Sequence, residues 1–262
     1  MTMEMKKNLT SVLRDGLILV FNMDKLDIVK TAEALLEAGV RNMEVTCRIK
    51  KPLQKLERLR KELPDFVAGA ASLIDNADML RIYNKLHSDD PLPSVQQVAD
   101  AGAMYLVSAM NFSDATYAKF AGKLPIIPGT GTTTEIASQF AKGANLVKIF
   151  PAKELGGPAF VRAVDPAIHK TIALVPTGGT TCTNIPDYAA AGVFAYGGSF
   201  SMIDKNTLAK ITDEHDYKLL ASELKKIKQL IDETRATTWP KLHFTKATLE
   251  EISRATGRYF NT

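Results

Sequence analysis

The feature that most constrains this chain is a repeated alternation of short β-rich runs with helical segments. Leu17–Phe21 reads as a strand. A helix over Asp24–Ala38 follows, with Asp24 as N-cap, apolar positions Ile28, Ala32, Leu35 and Leu36 at helical spacing, and Gly39 as the stop. Asn42–Thr46 is the next strand, Leu53–Leu63 the next helix and Phe66–Gly69 the third strand, with a helix beginning near Asp75. Further strands fall at Met104–Ser108, Pro125–Ile127, Leu146–Phe150, Thr171–Val175 and Val193–Tyr196. Helices at Asp114–Ala121, Thr134–Lys142, Ala159–Val164 and Asn184–Ala190 separate them. Such alternation implies a parallel sheet. Eight βα units in 262 residues predict an α/β fold closed as a (β/α)8 TIM barrel, with its site at the C-terminal ends of the strands. An open doubly wound sheet is the alternative. Against it, the first βα turn has no G-x-G-x-x-G, and Gly129–Glu135 lacks the third glycine.

Two stretches fall outside the rhythm. Met79–Pro93 is polar and proline-broken and reads as an insertion before the fourth strand, after which Ser94 caps a short helix. Beyond Asp204, Asp216–Arg235 is an amphipathic helix that supplies the last barrel helix, Trp239-Pro240 breaks it, and Lys246–Thr256 forms a further short helix. The expected division is a catalytic barrel core over 1–203 and a helical C-terminal segment over 204–262, which caps the barrel bottom or a neighbouring subunit.

Composition narrows the function. Hydrophobic residues make up 45% and charged residues 24%, the balance of a globular domain, and the net charge of +4 suits an anionic small substrate without demanding nucleic acid. The basic run Arg48–Arg60 reads as a solvated helix face. Cys47 and Cys182 form no disulfide framework, and the four histidines have no metal-binding spacing, so no metal is expected. With no apolar leader at the N-terminus and no uninterrupted apolar span, a cytoplasmic protein with no membrane partner is expected.

Strand alternation then picks out candidate chemistry. On Asn42–Arg48, Glu44, Thr46 and Arg48 share the inward face, while Val45 and Cys47 face the helices. Barrel interiors ordinarily hold branched apolar residues, so three polar inward positions favour a site, although Glu44 and Arg48 as buried partners is the plainer alternative. In Asn145–Pro151, a lysine sits among apolar and β-branched residues. Val147 and Ile149 face the helices, which turns Lys148 inward with Leu146 and Phe150. An amine stripped of water favours its neutral, nucleophilic form, the form that condenses with a ketone or aldehyde. An internal ion pair between Lys148 and Glu44 is compatible with that role. Finally, Pro176–Gly179 closes the seventh strand and Tyr196–Ser199 the eighth. Glycine pairs on these two loops let backbone N–H groups approach a phosphate, and Thr177 and Ser199 add hydroxyls.

These blocks resemble a known family, the 2-keto-3-deoxy-6-phosphogluconate (KDPG) and 2-keto-4-hydroxyglutarate (KHG) aldolases. The similar blocks are VRNMEVTCR, PIIPGTGTTTEI, LVKIFPAKELGG, VPTGGTTCTNIPDY and AYGGSF, in the family's order, over Leu17 to Ser199. The resemblance implies a class I aldolase, usually trimeric and needing no cofactor. Lys148 matches the Schiff-base lysine and Glu44 the general acid/base. Arg48 and Ser72 match the pyruvyl-carboxylate end, and Thr177, Gly178, Gly179, Gly198 and Ser199 the sugar and phosphate loops. Several positions depart from the family pattern. Gly69-Ala70-Ala71-Ser72 replaces Gly-Ala-Gly-Thr, Ser108-Ala109-Met110 replaces Ser-Pro, and Lys153 stands where many members have Glu.

The resulting expectation is retro-aldol cleavage of a phosphorylated keto acid, KDPG, to pyruvate and glyceraldehyde 3-phosphate. The alternatives are a pyruvate aldolase for the galactonate epimer (KDPGal) or for 4-hydroxy-2-oxoglutarate, or a noncatalytic phosphosugar-binding barrel.

Overall fold

Alternate strand residues divide the apolar core into two clusters, and that division defines the architecture. In the computed structural model, which describes residues 1–261, nine strands follow one another along the chain. They are β1 (Leu17–Phe21), β2 (Asn42–Thr46), β3 (Val67–Leu73), β4 (Leu106–Ser108), β5 (Ile126–Ile127), β6 (Gly129–Thr130), β7 (Val147–Ile149), β8 (Leu174–Pro176) and β9 (Tyr196–Ser199). All pair in parallel, in the orders β5-β4-β3-β2-β1-β9 and β6-β7-β8, and a parallel bridge between Thr177 and Gly197 joins the end of β8 to β9. The molecule is an α/β fold with a curled parallel sheet. Leu19, Met43, Val45, Ala70, Val147 and Ile149 pack with helix residues such as Leu35, Leu56 and Ile231 on the convex side. Ile18, Val67, Ala71, Val107, Leu146 and Val175 form a separate cluster on the concave side.

Several boundaries differ from expectation for local reasons. The second helix begins at Ile28 rather than at Asp24. Asp27 is its cap and accepts from the Val29 and Lys30 N–H groups, while Asp24 pairs with Lys55. Pro128 has no N–H for the ladder, so the fifth strand is split into β5 and β6. The third strand runs on to Leu73 through an irregularity between Ala70 and Leu73. The last strand lies at Tyr196–Ser199, in register with Leu17–Val20, instead of at Val193–Tyr196. The segment Met79–Pro93 begins inside a helix, Ala77–Leu86, and Asn84 exchanges two hydrogen bonds with the Leu92 backbone to fold it back.

An N-terminal helix, Met3–Asp15, was not foreseen. Thr2 caps it, Gly16 ends it in the left-handed conformation, and it buries Met5, Leu9, Val12 and Leu13. At the other end of the chain, Tyr217–Thr238 packs on the helices Ile28–Glu37 and Ile185–Ala190 as the last of the surrounding helices. Leu242, Phe244, Leu249, Ile252 and Phe260 then join Leu9, Val12 and Leu13 in the concave cluster. Arg235 ties these parts together. Its guanidinium donates to the Leu13 and Arg14 carbonyls at 2.9 and 3.1 Å, where that first helix ends, and lies 3.6 Å from the Phe244 ring centre. Among the described residues, no helix is long and apolar enough to cross a membrane.

Candidate active site

β7 delivers Lys148. Its neighbours Val147 and Ile149 are held by the helix layer, so the lysine projects to the concave side with Leu146. There Lys148 Nζ donates to Glu44 Oε1 at 3.2 Å, and the two residues are only 6% and 3% exposed. The Phe150 ring centre lies 5.4 Å from the ammonium. Thr130 Oγ1 donates to the Lys148 carbonyl at 3.2 Å, which fixes the backbone beneath the side chain. Glu44 in turn is held in register between Val20 of β1 and Gly69 of β3. Gly69 is a glycine for a packing reason: a Cβ there would collide with the Tyr105 ring. That ring crosses the concave space, and its hydroxyl donates to Asn42 Oδ1 at 3.2 Å. Burial, and then the charges of Glu44 and Asp15, push the Tyr105 phenol well up, so it remains a neutral donor.

Arg48 and Ser72 stand together above this pair. Arg48 Nε donates to Ser72 Oγ at 3.1 Å. Ser72 occupies the irregular turn of β3 with φ +61°, a left-handed conformation uncommon for a residue with a Cβ. The loop after β4 is fastened by Ser108, which donates to the Leu73 carbonyl and accepts from Met110 N–H, both at 2.9 Å. Met110, where the family pattern has no such bulk, is 38% exposed.

The glycine loops meet beside these groups. Gly178 and Gly179 have φ of +84° and +83°, which a side chain would strain. Phe150 abuts Gly178, so one aromatic ring links the lysine to this turn. The Lys153 backbone N–H donates to the Gly178 carbonyl at 2.9 Å, and its methylene stem fills the space a Gly179 Cβ would need. Thr177 is buried over Gly197, and its hydroxyl donates weakly to the Val175 carbonyl at 3.4 Å. Gly198 and Ser199 were expected in a loop; they lie within β9, paired with Leu19 and Val20. The Thr177–Gly197 bridge still sets the ends of β8 and β9 side by side. Ser199 Oγ lies 2.8 Å from Ser201 Oγ.

The structure thus makes two direct pairs of the candidate residues, Lys148 with Glu44 and Arg48 with Ser72; β2 carries Glu44, and the turn that follows it carries Arg48. Phe150 and Tyr105 were not singled out for the site. The signals were present: Phe150 shares the inward parity of Lys148, and Gly69 marks a place where something large must pass.

A buried amine against a carboxylate, on the concave side of a parallel sheet, is equipment for imine chemistry on a carbonyl compound. The fold and the site together define a lyase of the aldolase kind. The family model described as "KDPG and KHG aldolase" matches residues 9–88 and 91–216, and the chain belongs to that family. It is 33% identical over 185 residues to the 2-dehydro-3-deoxy-phosphogluconate aldolase of Treponema pallidum, covering 70% of this chain and 79% of that one. Among solved structures it resembles the KDPG aldolase of Legionella pneumophila, captured with pyruvate as a covalent carbinolamine. There the TM-score is 0.67 at 24% identity, over 84% of this chain and 97% of that one. It also resembles the 2-keto-3-deoxy-6-phosphogluconate aldolase of Zymomonas mobilis ZM4 with 3-phosphoglycerate. The TM-score is 0.61 at 27% identity, over 85% and 97% of the two chains.

Proposed function

We propose that this chain is a class I aldolase that cleaves KDPG to pyruvate and glyceraldehyde 3-phosphate. The observation that carries the reading is the buried contact of Lys148 Nζ with Glu44 Oε1 at 3.2 Å. In this reading the curled sheet is a closed (β/α)8 barrel, with β5 and β6 counted as one strand broken at Pro128. The segment after Asp204 supplies its last helix and an extension over the strands' N-terminal ends. The working form is a cytoplasmic homotrimer.

Lys148 passes a proton to Glu44, the freed amine attacks the C2 ketone, and Glu44 returns the proton to the carbinolamine hydroxyl, which leaves as water to give a protonated imine. Glu44, directly or through water, removes the C4 hydroxyl proton. The C3–C4 bond breaks, its electron pair moves into the imine to form an enamine, and the aldehyde leaves. Protonation at C3 and hydrolysis release pyruvate and restore the amine. Arg48, steered by Ser72, holds the substrate carboxylate. Thr177, Gly178, Gly179, Gly198 and Ser199 hold the sugar hydroxyls and phosphate, and that remote grip positions the reacting carbons.

Incubation with pyruvate followed by borohydride tests the reading. The expected result is a covalent adduct on Lys148 and pyruvate release from KDPG, both lost in Lys148→Met. Cleavage surviving in Lys148→Met rules the assignment out. Met110 favours one second reading, a related keto acid such as the C4 epimer, because it alters the loop after β4. Turnover of KDPG against that epimer separates the two.

A further inference from the structure

One residue of the inward set on β2 has so far no task. Thr46 ends β2 on the face of Glu44, two residues before Arg48 in the turn that follows, and pairs with Ala71 of the concave cluster. It is only 1% exposed, yet among the described residues its Oγ1 has no hydrogen-bond partner. Hydroxyls in such places are almost always paired, because a buried polar atom left without a partner costs the desolvation it underwent on burial. Threonine here is not a packing substitute. Valine has nearly the same shape and carries no such cost, and strand propensity favours it equally. Among the described residues, neither a backbone acceptor nor a neighbouring side chain takes up the hydroxyl.

The position says what the hydroxyl meets. Below it is the carboxylate that touches the Lys148 amine; above it is the guanidinium that Ser72 orients. A 2-keto acid joined to Lys148 through C2, with C1 directed at Arg48, spans that interval. We infer that Thr46 is a substrate-binding residue whose hydroxyl donates to the C1 carboxylate of the bound keto acid, sharing that group with Arg48. The inference rests on the aldolase reading above and adds a donor to it. A buried hydrogen bond to a charged group is worth about 10- to 100-fold in affinity.

The test compares Thr46→Val, Thr46→Ser and the unaltered protein in borohydride trapping across a pyruvate series, with thermal unfolding of each ligand-free protein alongside. Thr46→Val is expected to raise the half-saturating pyruvate concentration about 10- to 100-fold and to unfold no earlier than the parent, since it deletes an unpaired group. Thr46→Ser, which keeps the hydroxyl, is expected to stay within about 3-fold. Half-saturation unchanged in Thr46→Val, or equally impaired in Thr46→Ser, overturns the inference. Earlier unfolding of ligand-free Thr46→Val also overturns it, because the hydroxyl would then serve the fold. Absence of any adduct in the unaltered protein is a different failure, that of the aldolase reading itself.

Discussion

Arg48 Nε and Ser72 Oγ are 3.1 Å apart, and Ser72 makes that contact from a left-handed backbone conformation at φ +61°. For an L-residue this conformation costs about 1–2 kcal/mol, so the position exchanges stability for a fixed guanidinium. Ser72→Gly relieves the strain but adds backbone entropy to the unfolded chain, and the two effects are of similar size. Its stability is expected to stay within about 1 kcal/mol of the parent, while KM for the keto acid rises about 10-fold. Chemical denaturation and steady-state kinetics on one preparation check both halves.

Glu44→Gln keeps the shape beside Lys148 and removes the charge and the base. A loss of about 100- to 10,000-fold in kcat is expected, the range of a positioned acid/base. Both variants should also lower stability, Glu44→Ala by about 3 kcal/mol or more, because each leaves a buried ammonium without its counter-charge. Stability equal to the parent's in both variants by urea unfolding would count against the ion pair.

Lys153 crosses Gly179 with its stem and, among the described residues, has no ion-pair partner. In the proposed function its ammonium adds a cation at the phosphate end. Lys153→Glu is expected to raise KM about 10-fold for the phosphorylated keto acid and to leave an unphosphorylated one unchanged, with the difference shrinking as salt is added. A parallel change in both substrates would show that Lys153 serves only the turn.

Burial pushes the Asp15 carboxyl up to about 6. The Asn42 side chain, the Arg41 N–H, and the charges of Lys228 and Arg235 oppose the shift. The unfolded carboxyl loses its proton near 3.8 and the folded one near 6, so between these values the native state holds more protons. Its contribution is therefore complete below about 3.8 and declines as pH rises to about 6. Unfolding free energy measured from pH 4 to 7 is expected to fall in that window, and Asp15→Asn is expected to flatten the fall.

What could be read beforehand follows from which forces are local. Lys148 was legible because a single charge in a β-branched run leaves only one face for it. Glu44 was legible by the same parity, but not their contact, since 104 residues separate them and only the closing sheet brings them together. Asp24 and Asp27 both suit a helix cap, and the choice turned on Lys55, from the next helix, engaging the first. The first helix was hidden by Lys6 and Lys7, whose charges obscure the spacing of Met5, Leu9 and Val12. The last strand was displaced because Val193 and Phe194 are better strand formers than the two glycines that pair with β1. Ser72 gave no sign of its backbone angle, which the irregular pairing of β3 with β4 imposes.

Arg235 stacks on Phe244 while gripping the last carbonyls of the first helix, and Asn261 reaches the Phe140 and Ala144 carbonyls at 2.9 and 2.7 Å. Both termini are therefore sewn into one seal beneath the strands, on the far side from the glycine turns. Clipping either terminus opens a path for water from underneath, and the amine would lose its seclusion without a single residue at the entrance being touched.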